Sequence, residues 1–196
     1  MKITIDQYRD AAAREMKNVH TQRFLKLLPV RLGERRKLSL ADFAAPDAMM
    51  AAGAAIRAQA LKNLPALLEQ FETRAKAAGA SVFWATDADA ANAYVADLAR
   101  KNRIDLVTKG KSMITEELGL NDALAAQGIR ALETDLGEFI TQLLGRPPFH
   151  IVGPALNIPV AQISEIFMEK GVIDAPEHDP VKLGMAARRF LRRHFH

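Results

Sequence analysis

Two short blocks of residues carry the side chains in this chain that could do chemistry. The first is Lys109-Gly110-Lys111-Ser112-Met113, with Glu116 a turn later; the second holds Glu133, Asp135 and Glu138. Each block lies where a short apolar run gives way to a helix-forming segment. In an open α/β sheet, ligands bind at such strand ends. Ser112 reads as the cap of a helix whose first N–H groups, from Met113 onward, point out of the strand end. With Lys109 and Lys111 beside them, these groups form a candidate seat for a carboxylate or phosphate. A capped helix with two solvated lysines accounts for the same residues equally well. Asp135 and Glu138 fit a capping box, with Asp135 accepting from the Glu138 N–H and the Glu138 side chain reaching back. The alternative makes Glu133 and Asp135 ligand contacts beside the Lys111 loop, because consecutive strands of a parallel sheet usually lie side by side. Glu116 and Glu117 diverge by about 100° on a helix and cannot act as one pair. One of the two is instead a candidate ion-pair partner for Lys109 or Lys111.

Other chemistries are disfavoured by what stands around these residues. Gly110-Lys111-Ser112 invites a phosphate-loop reading, but the glycine required five positions earlier is Asp105. The histidines, His20, His150, His178, His194 and His196, show no metal-ligand spacing, and there are no cysteines. No metal site is therefore expected, and neither is a disulfide, a thiolate nucleophile or a cysteine-ligated cluster within this chain. No nucleophile-elbow motif is present, and no catalytic residue is assigned. His150 reads as a strand-end residue, and Phe83 with Trp84 as core.

Composition sets the class. An apolar fraction of 49% with 26% charged residues is that of an ordinary globular protein. No apolar run approaches the roughly 18 residues of a membrane span, and the first residues do not read as a signal peptide, so a cytoplasmic location is expected. The net charge is +4, with arginines at 188, 189, 192 and 193. That cluster reads as a solvated helix face, and nucleic acid is not an expected partner.

The elements that must position the two blocks follow from periodicity. Residues 6 to about 28 have helical spacing, ended by Pro29, and a charged connector follows over 31–37. A long alanine-rich helix is expected over 47–78, kinked or restarted at Pro65, with Gly79 as its cap. Beyond it, β-prone runs at 81–85, 104–108, 130–132 and 150–152 alternate with helices over 87–100, 111–118, 121–127, 135–144 and 160–170. Asp179-Pro180 opens a last helix. This alternation predicts an α/β fold: a parallel sheet with helices on both faces, over 79–196, preceded by a helical arm or cap over 1–78.

Several segments resemble a known family. Leu61-Lys62-Asn63-Leu64-Pro65, Gln70-Phe71-Glu72, Val82-Phe83-Trp84-Ala85-Thr86-Asp87-Ala88 and His150-Ile151-Val152-Gly153-Pro154-Ala155 are similar to the lactate utilization (LUD) domain family. The 109–121 and 133–143 segments are the most specific matches. The likeness is to the iron–sulfur subunits of bacterial L-lactate oxidation systems. The resemblance implies a Rossmann-like sheet similar to the sugar-phosphate isomerase and CoA-transferase superfamily. It implies a part in oxidising L-lactate to pyruvate, in a non-NAD lactate dehydrogenase complex with sister subunits. It also implies electron transfer through [4Fe–4S] clusters, whose cysteines belong to a C-terminal module of full-length members. This chain is then expected to be the N-terminal part of such a subunit, with no cofactor of its own and its sheet cut short. An open sheet edge would favour a homo-oligomer, or a terminal helix folded over that edge. Two other readings stand beside this one: a non-catalytic subunit-interaction module, and a small-molecule enzyme of the CoA-transferase or isomerase kind.

Overall fold

The computed structural model describes residues 5–150 and 153–194, which divide into two compact units, Ile5–Trp84 and one beginning at Ala85. Ile5–Trp84 is helical: α1 (Ile5–Lys17), α2 (Val19–Ala41), α3 (Pro46–Lys62) and α4 (Leu64–Ala77). The expected first helix is split at Asn18, whose Oδ1 accepts from the N–H groups of His20 (3.1 Å) and Thr21 (3.2 Å) and so opens α2. Pro29 does not end that helix, contrary to the sequence reading, and the charged connector expected over 31–37 is also helical. An interior proline removes one hydrogen bond and strains one turn, but the Arg-, Leu-, Glu- and Lys-rich residues after it are strong helix formers that carry α2 onward. The restart near Pro65 is observed, with α4 beginning at Leu64 and the proline in its first turn. Gly79, at φ +87°, follows α4, and the Ala80 N–H returns to the Ala75 carbonyl at 2.9 Å.

The second unit is mixed α/β and mostly helical. It comprises α5 (Ala88–Lys101), β1 (Leu106–Lys109), α6 (Met113–Glu117), α7 (Leu120–Ala125), β2 (Arg130–Glu133), α8 (Leu136–Leu143), α9 (Val160–Glu169) and α10 (Pro180–Arg192). Side-chain caps at Asp87, Ser112, Asp135 and Asp179 start α5, α6, α8 and α10. Gly119, at φ +69°, separates α6 from α7 as its position suggested.

Among the described residues the sheet has two strands, β1 and β2, parallel and in the register Val107↔Ala131, Thr108↔Leu132, Lys109↔Glu133. The larger sheet read from the sequence is not seen. Residues 81–85 form no strand, and Phe83 and Trp84, read as core, are half exposed. Their β-prone composition fits a pleated surface but supplies no neighbouring strand. The strand expected at 150–152 falls largely outside the described residues, and His150 itself sits in a turn.

Both faces of the small sheet are covered. Val107 and Ala131 pack on a cluster of Ala96, Ala99, Leu120, Leu124 and Ile129 from α5, α7 and the approach to β2. The next residue along β2, Leu132, packs on the larger cluster built around Phe139, Phe167, Leu183 and Ala187 from α8, α9 and α10. Successive strand side chains thus enter different cores, as the period of two requires. Phe139 and Phe167 are fully buried with ring centroids 6.0 Å apart. Gly137 permits this packing, since a Cβ there would lie 3.0 Å from the Pro154 Cβ and 3.4 Å from the Ala155 nitrogen.

Candidate functional site

Parallel register brings Lys109 and Glu133 side by side at the carboxyl ends of their strands. There the Lys109 Nζ meets Glu133 Oε1 at 2.6 Å, with both side chains buried. Asn121, on the first turn of α7, completes a triangle. Its Oδ1 accepts from Lys109 Nζ at 2.7 Å, and its Nδ2 donates to Glu133 Oε1 at 2.9 Å. Thr134 closes the strand ends by donating to the Lys109 carbonyl through both its N–H (2.9 Å) and Oγ1 (2.8 Å). On the other edge of β2, the Gln142 side chain of α8 substitutes for a strand. Its Oε1 accepts from the Glu133 N–H at 3.1 Å, and its Nε2 donates to the Ala131 carbonyl at 2.8 Å.

Glu138 projects from the first turn of α8 into the same region. It does not reach back as a capping box would: Asp135 alone caps the helix, accepting from Gly137 N–H (3.0 Å) and Glu138 N–H (3.2 Å). The Glu138 side chain is instead 2% exposed, as is that of Glu133. Burial is the main force that pushes the Glu138 carboxyl up to about 7. The negative charges of Glu133, Asp135 and Glu116, and a hydrogen bond with Glu133, act in the same direction. His150 stands near, its Nδ1 3.9 Å from Glu138 Oε1. Glu133 and Glu138 line a cavity of about 330 Å³, along with Glu116, Asn121, Thr141, Gln142 and Arg146.

The candidate residues therefore separate. Lys109, Glu133, Glu138 and Glu116 come together, but Lys109 is not a free ammonium for an anion, because Glu133 and Asn121 occupy it. Glu116 acts on Glu138 rather than forming an ion pair with either lysine. Lys111 and Met113 are exposed, and neither lines the cavity. Ser112 caps α6 through the Thr115 N–H at 3.3 Å, and Asp135 caps α8. The sequence reading missed Asn121, Gln142 and Arg146 and set His150 aside. Asn121 was the most accessible of these, because the glycine break before α7 aims its first turn at the strand ends.

The fold and site define a class: an α/β unit with a buried lysine–glutamate pair at parallel strand ends and a second buried carboxyl beside it. The LUD domain model matches residues 68–196, and the chain belongs to the LUD domain family. Among its relatives, Lactate utilization protein B of Macrococcus caseolyticus is 36% identical over 196 residues, covering 100% of this chain and 41% of that protein. The protein of the same name from Bacillus licheniformis is 33% identical with the same coverage. That from Oceanobacillus iheyensis is 41% identical over 143 residues, 73% of this chain and 30% of the relative. The chain thus spans about two-fifths or less of the length of these curated relatives. No solved structure matches it. Among the described residues, no helix is long and apolar enough to cross a membrane.

Two expectations follow. Lys109→Met leaves Glu133 buried and uncompensated, and should cost about 3–5 kcal/mol in urea unfolding, while adding Glu133→Leu should recover much of the loss. Glu138 binds its proton more tightly folded than unfolded, so its stabilisation is full below the ordinary carboxyl value of 4.5 and is lost as pH rises through about 7. Glu138→Gln should remove roughly 2–3 kcal/mol of that decline. Melting curves at pH 5 and 8.5 should then show the variant gaining on the wild type at the higher pH.

Proposed function

We propose that this chain serves L-lactate oxidation to pyruvate, as the LUD-domain part of a lactate utilization protein B-like subunit. The observation that carries this reading is the alignment of its whole length with relatives bearing that name. The family resemblance attaches [4Fe–4S] clusters to this chemistry. The residues present do not fit such a group, since the chain has no cysteine to ligate one. We therefore assign the clusters to other segments or sister subunits, and to this chain the holding of a small carboxylate. Lys109 is committed to Glu133, so the cation available at the cavity is Arg146, which is exposed and lines it. Its guanidinium is suited to a carboxylate. The Rossmann-like, CoA-transferase-type architecture belongs to the same proposal. It is supported by the parallel pairing of β1 and β2 and by the helices on both of their faces.

A second reading, a subunit-interaction module, is favoured by one observation. In the Ile5–Trp84 unit, α3 and α4 leave Leu61, Leu64, Leu67, Leu68 and Phe71 exposed, a run of large apolar side chains suited to contact with another chain.

Calorimetric titration of the purified chain with L-lactate, pyruvate and phosphate tests the first reading. L-lactate is expected to bind, and Arg146→Ala to weaken it about tenfold, the loss of one charge-assisted pair. Binding untouched by Arg146→Ala, yet lost in Lys111→Ala, would return the seat to the α6 loop. Light scattering tests the second: self-association that Leu68→Glu with Phe71→Glu abolishes is expected, and a wild-type monomer at micromolar concentration would refute it.

A further inference from the structure

We infer that a groove between α8, α9 and α10 binds a single-chain anionic amphiphile, with its apolar body beside Phe167 and its oxyanion head on Arg188 and Arg192. Two adjoining cavities carry this assignment. The first, of about 510 Å³, is walled chiefly by apolar side chains, among them Leu136, Ile140, Leu156, Ile163, Phe167 and Leu183. Asp135 is the one charged residue on its wall, and its Oδ2 already accepts from the Gly137 and Glu138 N–H groups. Packed interiors leave few voids larger than a water molecule, so an opening of this size is room for a guest rather than slack in the core. Leu136 and Leu156 stay 43% and 54% exposed on that wall.

The second cavity, of about 460 Å³, shares Leu136 and Gly184 with the first and is lined further by Thr134, Arg188, Leu191 and Arg192. Arg188 and Arg192 stand four residues apart on one face of α10, where like charges repel. Both are exposed, and among the described residues no acidic side chain pairs with either. An oxyanion held between them relieves that repulsion and accepts from the paired N–H donors of each guanidinium. Gly184 is the passage between the two cavities. Glycine inside a helix is destabilising relative to alanine. Here a side chain would point at Leu136, its Cβ 3.7 Å from Leu136 Cδ2, and fill the space that the cavities share. From Gly184 to Arg188 is about 6 Å along the helix axis, so a short unbranched link joins an apolar body in the first cavity to a head in the second. A linear chain with one charged end fits that shape. A bare carboxylate fits only its head end, and a cationic amphiphile meets two arginines.

The site is separate from the 330 Å³ cavity and does not rest on the lactate reading, so either can fail alone. The experiment follows the leucine methyl resonances of the full chain, with Leu136 and Leu183 assigned by their loss in Leu136→Met and Leu183→Met. The probes, kept below micelle-forming concentrations, are octanoate, octyl phosphate, octanol, octylammonium and acetate. Octanoate and octyl phosphate are expected to shift both resonances, and the tighter of the two identifies the head group. Octanol should bind about tenfold more weakly, for want of one charge-assisted pair, and acetate should leave the methyls unmoved. Arg188→Gln with Arg192→Gln should lower octanoate affinity at least tenfold and leave octanol affinity unchanged, a split that loss of structure would not produce. Gly184→Leu, which favours the helix, should weaken octanoate and octanol together by at least tenfold. Octanol or octylammonium binding the wild type as tightly as octanoate would overturn the proposal, as would octanoate that leaves both methyls in place. Light scattering tests the other occupant. Self-association that Gly184→Leu disperses and octanoate does not affect would make the guest a second copy, and the proposal would fall.

Discussion

The ion pair between Lys109 and Glu133 is the interaction on which the second unit's strand ends depend. Two like-facing residues at the last position of two parallel strands would usually be exposed. Here they are covered, and burying either charge alone would cost several kcal/mol. Their mutual attraction, with Asn121 bonded to both, makes that burial tolerable. It also ties the ends of β1 and β2 to each other and to the first turn of α7. A two-stranded parallel sheet has little stability of its own. This one persists because each face enters a separate apolar cluster and because Gln142 takes up backbone groups that a third strand would otherwise satisfy.

From that pair the state of Glu138 follows. Once Glu133 is held as a buried anion, a second carboxyl placed beside it is penalised twice, by lost water and by the neighbouring charge. Holding a proton removes both penalties. Glu138 could not have reached this position had its side chain served in a capping box. Asp135 accepts from the Gly137 and Glu138 N–H groups, while the Glu138 side chain turns inward rather than back to the Asp135 N–H.

How much of this was legible depended on whether the controlling signal was local. Caps are local: Asp87, Ser112, Asp135 and Asp179 each start the helix that the residue type and its successors announce, and Gly119 breaks one where expected. Pro29 misled because its cost is fixed while the propensity of the residues after it accumulates. The run at 81–85 misled for the opposite reason, since strand formation needs a partner that composition cannot supply. At the site, the strand-end rule placed Lys109, Glu133 and Glu138 near one another. It could not show that the lysine and the first glutamate would neutralise each other. That outcome depends on register, which is set by the turn lengths between β1 and β2 and by the two cores together.

Register also inverts the electrostatics of the pocket. Read along the chain, two lysines and a helix start suggest a positive seat for an anion. In space, Lys109 is cancelled, Lys111 is exposed and does not line the cavity, and Glu116 and Glu138 take their place on its wall. The field inside is then governed by carboxyls, with Arg146 as the cation at its lining. A free anion entering such a cavity gains one guanidinium and meets at least two negative groups.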